Sequence, residues 1–280
     1  ALYEQFQKPM TIQNVPGPIA HDDGVVIEVK ANGIFAIIIF NPALPRGVRS
    51  PTPARRDSLR RYEFGALAGR NGFRRIGIAG LPLYHRIPRR RRAGTRVRRR
   101  MGCVVHGCGG VGLATIMIAN AIGARVIGLD IKDETLAFAK SIGAAHVLNA
   151  RNETKLIDAI HALTGGGAHV SFDALGSLET CRNSVLSLRK RGRHVQVGLM
   201  VADYKDAPIP MNVVIAKELE IVGSHGMQAH AYEPMMRMIL FGKLKPKLLI
   251  HKTVTLEESI VELQAFGNYA NVGVTVIDRF

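Results

Sequence analysis

The 280-residue chain has no tryptophan and only three cysteines, Cys103, Cys108 and Cys181, with no C-x-x-C pair. Three thiols give no disulfide framework, which suits a reducing cytoplasm. They give no metal cage either, because Cys103 and Cys108 are too few and too close along one strand end. No apolar run has the length of a membrane span; the run IFAIIIF over 34–40 is seven residues, so no membrane is expected as a partner. The N-terminus carries no signal-peptide pattern. Acidic residues are scarce in one place. Residues 35–102 hold 18 arginines, no lysine, and only Asp57 and Glu63 as acids, a surplus equal to the +16 of the whole chain. Everything outside that segment is charge-balanced, so the basic character is local and not a property of the whole surface.

What is present is most specific over Val104–Asp130. Val104 and Val105 end an apolar strand, and Gly107, Gly109 and Gly112 then fit G-x-G-x-x-G. An apolar helix is expected over 113–122, ended by Gly123, followed by a strand over 125–129 that finishes at Asp130. In this pattern Gly107 permits a tight turn, Gly109 lets backbone approach a pyrophosphate, and Gly112 lets helix and strand pack closely. The helix N-terminus offers unpaired N–H groups and partial positive charge to phosphates. Asp130 lies 18 residues after Gly112, where a carboxylate can accept from ribose hydroxyls and would repel a 2′-phosphate. The expected ligand is therefore NAD rather than NADP. Cys108 sits inside the turn; a thiol at a helix N-terminus can have a lowered pKa, but its expected role is that of a small filler beside the pyrophosphate.

From Cys103 onward β and α segments alternate, the signature of a parallel sheet with helices on both faces. Helices are expected over 132–140, from an Asn152 cap through Leu163, over 177–188, and briefly over 213–217. Strands are expected over 145–149, 193–198 and 219–224, and 169–176 reads as strand then turn. With the two opening strands this makes six, the number of a full dinucleotide fold. The cations of 189–193 read as a helix C-terminal cap, and the Met-rich stretch 235–239 as a core-facing helix. His106 and His225 flank the turns and read as surface or hydrogen-bonded histidines. A helix over 256–266 and a strand over 272–277 close the chain.

The strings HGCGGVGL, GLDI, ALTGGGAHVSFDALGS, SVLSLRKRGRHVQVGLM and KELEIVGSHG resemble the medium-chain zinc-dependent alcohol dehydrogenase family, as does the β-rich opening that ends in Val29-Lys30-Ala31-Asn32-Gly33-Ile34. The resemblance covers residues 1–34 and 103–280. It implies an α/β protein: a doubly wound parallel-sheet Rossmann domain over 103–241, with an incomplete GroES-like β domain formed by 1–34 and 242–280. It implies a cofactor site of Gly107, Cys108, Gly109, Gly110, Val111 and Gly112 at the turn, with Asp130 and Ile131 at the next strand end. Ala174, Leu175 and Gly176 are implied on the adenosine side, and Val197, Gly198, Leu199, Gly223 and Ser224 around the nicotinamide. The activity implied is hydride transfer between an alcohol or aldehyde and NAD, by a homo-oligomer, with zinc holding the alcohol oxygen.

The sequence departs from that family where the zinc ligands belong. Phe35 stands where a ligating cysteine is expected, and no Gly-His-Glu or four-cysteine lobe follows; His85 is the one histidine of 35–102, with no Glu after it. No metal ligand and no catalytic residue can therefore be assigned. Three readings of 35–102 stand side by side. One is a basic arm for an anionic partner, although no recognisable nucleic-acid fold accompanies it and nucleic acid is not the expected partner. One is a disordered, solvated insertion. The third is translation of a shifted reading frame, which explains the lysine-free arginine bias. The family often has Glu-Trp-Val before its glycine motif, and GAATGGGT read one base over gives Met-Gly, as at Met101-Gly102. The chain is then either an oxidoreductase of this family or a catalytically inactive NAD-binding remnant with a basic arm. Peptide mapping with intact mass across 34–103 separates these. Arginine-rich peptides as written support the remnant, and cysteine-bearing peptides with a Gly-His-Glu support the shifted frame.

Overall fold

A computed structural model describes residues 11, 12, 14, 17, 28–34, 101–200, 205–226, 232–265 and 272–280. In chain order the elements are β1 (Asn32–Ile34), β2 (Gly102–His106), α1 (Gly110–Ala121), β3 (Arg125–Asp130), α2 (Asp133–Ser141), β4 (His146–Asn149), α3 (Leu156–Thr164), β5 (Ala168–Asp173), α4 (Leu178–Leu186), β6 (Leu188–Gln196), α5 (Met211–Lys217), β7 (Glu220–Gly223) and α6 (Tyr232–Leu240). A 3-10 turn (Pro246–Leu249), β8 (Ile250–Thr255), α7 (Leu256–Ala265) and β9 (Val274–Arg279) follow. The expected strands before residue 28 and the whole arginine-rich stretch 35–100 lie outside the described residues.

Strands β2 to β7 form one six-stranded sheet in the order β4-β3-β2-β5-β6-β7, every neighbouring pair parallel. Parallel strands need crossovers, and the helices between them cover both faces of the sheet. Along β2 and β3 successive side chains serve opposite faces. Cys103, Val105 and Val126 pack with Leu113, Ile116 and Met117 of α1 and with Leu136 and Ala139 of α2. Val104, Ile127 and Leu129 pack with Ile160 of α3 and with Leu188. Each of the fully buried aliphatic side chains stabilises by roughly 1.5–3 kcal/mol relative to exposure.

Helix α1 is apolar nearly all round, with Gly112 to Ala119 buried, and such a helix must be covered on both sides. The second cover comes from the end of the chain. Met235, Ile239, Leu244, Leu249, Val274 and Val276 belong to the same core as α1, so the methionine-rich helix does face the core. Strands β1, β9 and β8 form a separate three-stranded sheet, β1 antiparallel and β8 parallel to β9. Among the described residues no helix is long and apolar enough to cross a membrane.

Three local expectations are corrected. Helix α1 starts at Gly110, not Leu113, because Gly109 in extended conformation serves as its N-cap, so half of the glycine motif is the first helical turn. Asn152 does not cap α3, which begins at Leu156 with Lys155 as N-cap and no side-chain cap bond; Asn149 Oδ1 instead accepts from Arg151 N–H within the intervening turn. The cations of 189–193 do not cap α4. They lie inside β6, where Ala168 pairs with Leu188 but Val170 with Arg193, so the strand bulges through Arg191 at φ +57°. Lys217 takes over the capping role, its Nζ donating to the carbonyls of Leu188 at 2.8 Å and Leu186 at 3.4 Å. At the other end of α4 the Ser177 side chain accepts from Thr180 N–H while Thr180 Oγ1 accepts from Ser177 N–H, a reciprocal cap.

Candidate cofactor site

All the sequence-derived site residues lie at the C-terminal ends of β2, β3, β5, β6 and β7, in the turns that follow, or in the first turn of α1, the edge at which ligands sit in open parallel sheets. The strand order reverses between β2 and β5, which pair in parallel with His106 opposite Asp173. Gly107 leaves β2 at φ +86° and its N–H donates to Leu129 O of β3 at 2.8 Å. A Cβ on Gly112 would stand 1.8 Å from Gly107 O, so only glycine lets α1 start this close to the turn. A Cβ on Gly109 would meet nothing within 4 Å. The first turn of α1 has no acidic residue and Gly109 makes no side-chain cap, so the N–H groups of Gly110, Val111 and Gly112 have no acceptor within the helix, the arrangement that suits an anion.

Asp130, half-buried at the end of β3, is tied to that turn. Its Oδ2 accepts from Cys108 N–H at 2.8 Å, and its Oδ1 from Ile131 N–H at 2.8 Å and Lys132 N–H at 3.2 Å. One carboxylate thus holds the glycine turn against β3 and keeps a lone pair for an outside donor. Ile131 is 45% exposed beside it. Cys108 is fully buried against Gly128, its Sγ 3.5 Å from Leu129 O. Burial, and then the Asp130 carboxylate, push its thiol pKa up. The lowering allowed by the helix N-terminus does not occur, and Cys108 acts as the expected filler.

On the other side of the reversal, Ala174 N–H donates to His106 O, and Leu175, 44% exposed, stands next to Gly107. Val197 and Gly198 donate to Asp173 O at 3.0 and 2.8 Å, and Ser224 N–H donates to Gln196 O at 2.9 Å. A Cβ on Gly198 would lie 2.3 Å from Gly176 N, so the turns after β5 and β6 touch backbone to backbone. Gly223 is exposed, and Leu199 and Ser224 are half-buried.

Sequence reading missed the group that holds these turns together. Asp173 is fully buried. Its Oδ1 accepts from Leu175 N–H, Gly176 N–H and Thr180 Oγ1–H, and its Oδ2 from the Gln196 amide. The available signal was an aspartate at the end of an apolar strand, three residues before a Gly-Ser turn. His106 is also corrected. It is neither on the surface nor satisfied: it is 2% exposed, and its Nε2 has no hydrogen-bond partner among the described residues. Burial, and then His194 nearby, push its pKa down to about 3. His225 is exposed.

Zinc does not fit the described residues. Among them no three His, Cys, Asp or Glu side chains gather as a metal site, and all three cysteines are buried singly. A cavity of about 400 Å³ lined by Glu233, Pro234, Arg237, Met238, Phe241 and Lys243 opens on the α6 side and contains none of the site residues.

A parallel sheet in this order, with a glycine turn leading into a buried helix and an acid at the next strand end, defines a Rossmann-type dinucleotide fold. Comparison with known proteins narrows the class. Residues 110–240 match the model of the zinc-binding dehydrogenase family. An NAD-dependent alcohol dehydrogenase of Sulfurisphaera tokodaii is 32% identical over 176 residues, covering 62% of this chain and 49% of that protein. A sorbitol dehydrogenase of Halalkalibacterium halodurans is 28% identical over 158 residues, covering 55% and 45%. Among solved structures, the alcohol dehydrogenase of Aeropyrum pernix matches with a TM-score of 0.57 and 26% identity, over 65% of this chain and 52% of that one. The benzyl alcohol dehydrogenase of Acinetobacter calcoaceticus gives a TM-score of 0.59 at 24% identity, over 64% and 50%, a likeness of fold. The chain spans about half the length of the relatives it matches.

Proposed function

We propose that this chain is the NAD-binding part of an oxidoreductase that transfers hydride between an alcohol or aldehyde and the cofactor. The observation that carries the reading is the turn itself: Gly112 packed against Gly107 O, open space at Gly109, and Asp130 bonded to Cys108 N–H beside that space. On this reading the N–H groups of Gly110, Val111 and Gly112 neutralise a pyrophosphate, and the remaining lone pair of Asp130 accepts from an adenosine ribose hydroxyl. Ile131, Ala174, Leu175 and Gly176 flank the adenosine side. Val197, Gly198, Leu199, Gly223 and Ser224 bound the nicotinamide side and shield it from water. NAD would supply the hydride acceptor for alcohol oxidation. The division into 103–241 as cofactor domain, with 1–34 and 242–280 as parts of a second domain, belongs to the same proposal, as do self-association and a cytoplasmic location. Zinc is the family's Lewis acid, but the described residues supply no ligands for it, so no step is assigned to it. The inactive-remnant reading is not favoured, since the relatives are named as alcohol and sugar-alcohol dehydrogenases.

The test is equilibrium binding of NADH and NADPH to the purified chain by fluorescence titration. NADH is expected to bind at least ~10-fold more tightly, one tenfold step being about 1.4 kcal/mol. Asp130→Ala removes the like charge that rejects the 2′-phosphate and also the acceptor for Cys108 N–H. The variant is expected to lose NADH affinity by ~10-fold or more without a matching gain for NADPH, because the turn loosens. Equal affinity of the unaltered chain for both cofactors would defeat the assignment of Asp130.

A further inference from the structure

A buried polar chain runs beneath the two turns that the proposed NAD site needs. The Gln196 amide nitrogen donates to Asp173 Oδ2 at 2.9 Å and to Gly198 O at 2.7 Å. Those two acceptors fix the amide, so its Oε1 faces His194 Nε2 at 3.2 Å and the ring donates there. The other ring nitrogen lies 2.8 Å from Ser184 Oγ, itself 2.8 Å from Ser171 Oγ. His194, Ser171 and Ser184 are buried, and burial lowers the His194 pKa, consistent with a neutral ring. Asp173 is thus held on one side by two donors from the turn after β5 and one from the first turn of α4, and on the other by Gln196 at the end of β6.

The geometry points to Asp173 and Gln196 as positioning residues that set the spacing between turns 174–176 and 197–199, and through it the seating of the nicotinamide half of the cofactor. Three observations carry this. The two turns touch at Gly176 and Gly198, where a Cβ on either would overlap backbone of the other turn, leaving no side chain to act as a spacer. The spacing is therefore set by hydrogen bonds: the backbone bonds of Val197 and Gly198 N–H to Asp173 O and, as the one side-chain link among the described residues, the Asp173–Gln196 bond with its branch to Gly198 O. A buried carboxylate with four donors also resists movement, since any shift leaves an acceptor unpaired. The inference rests on the NAD reading above and adds to it two residues that line no part of the proposed site.

The experiment measures affinity for NADH and for ADP-ribose, which lacks the nicotinamide, in the full chain and two variants. In Asp173→Asn the Oδ1 bonds to turn 174–176 can persist, while an amide NH2 meets the Gln196 NH2. In Gln196→Met the Asp173–turn bonds and the backbone bonds of Val197 and Gly198 N–H to Asp173 O remain, while the side-chain link to turn 197–199 is gone. Both variants are expected to bind NADH ~10-fold or more weakly and ADP-ribose within about threefold of the unaltered chain. Loss of general order would lower both affinities together. If Asp173→Asn does not fold, Gln196→Met decides alone. Unchanged NADH affinity in the folded variants, or equal loss for both ligands, overturns the positioning role and leaves the NAD reading intact. Failure of the unaltered chain to bind either ligand overturns the NAD reading itself, and this role with it.

Discussion

Gly112→Ala is expected to be the most damaging single-atom addition in the described part of the chain. The new Cβ would stand 1.8 Å from Gly107 O and 2.8 Å from Gly107 C. Backbone cannot rotate away as a flexible side chain can, so α1 must slide or tilt off β2. Helix α1 is buried between the parallel sheet and the chain end, its Leu113, Ile116 and Met117 sharing one core with Leu249 and Val274. Displacing it disturbs both covers. The expected loss of stability is about 3 kcal/mol or more, at the upper end for overpacking, measurable by urea unfolding. The loss of NADH affinity should be larger than stability alone explains. The N–H groups of Gly110 and Val111 move with the helix, and a misplacement near 1 Å costs roughly 100-fold at a preorganised site. A folded Gly112→Ala protein that binds NADH as the unaltered chain does would refute the close-packing account of the turn.

Acid should destabilise the fold well before its carboxylates protonate, and His106 should be a main cause. Its ordinary pKa of 6.5 is pushed to about 3 by burial and by neighbouring His194. The sign follows from proton uptake. Below pH 6.5 the unfolded chain protonates this ring while the folded chain does not, so protons favour unfolding. The stability owed to a neutral His106 is complete above about pH 6.5 and falls steadily as the pH drops toward 3. Over the whole window the loss is on the order of 4 kcal/mol. His194 and His169 are lowered too, again chiefly by burial, and add slope in the same direction. His106→Leu isolates the His106 share. Because Nε2 has no partner among the described residues, an apolar side chain of similar size forfeits no bond to them at that atom. The variant is expected to match the unaltered chain at neutral pH within about 1.5 kcal/mol and to unfold along a flatter profile below pH 6. Parallel profiles for the two proteins would show that His106 protonates in the folded state.

Much of the candidate site was legible because its chemistry is written at short, fixed offsets. A strand, three glycines spaced two and three apart, an apolar helix and an acid at the next strand end need no knowledge of the remaining chain. Helix limits were less legible. The start of α1 depended on whether Gly109 lies extended, and the cations of 189–193 looked like a helix end until the bulge at Arg191 placed them in β6. Arginines of that kind satisfy either pattern. The choice was made by β5, which pairs Val170 with Arg193 and skips the residues between.

The sequence by itself determined the alternation of β and α, the covered apolar strands, the glycine turn and the acid beside it. Side-chain period and steric room at glycine are local properties that hold wherever the segment goes. Tertiary structure alone decided which buried polar groups would meet. Gln196 reaches Asp173 across 23 residues, Lys217 reaches the end of α4 across 31, and His106 is left with a nitrogen that no described residue answers. Those outcomes depend on the order and register of parallel strands, hence on the crossovers between them, and a hydrogen bond limited to about 3 Å exists only once that register is set.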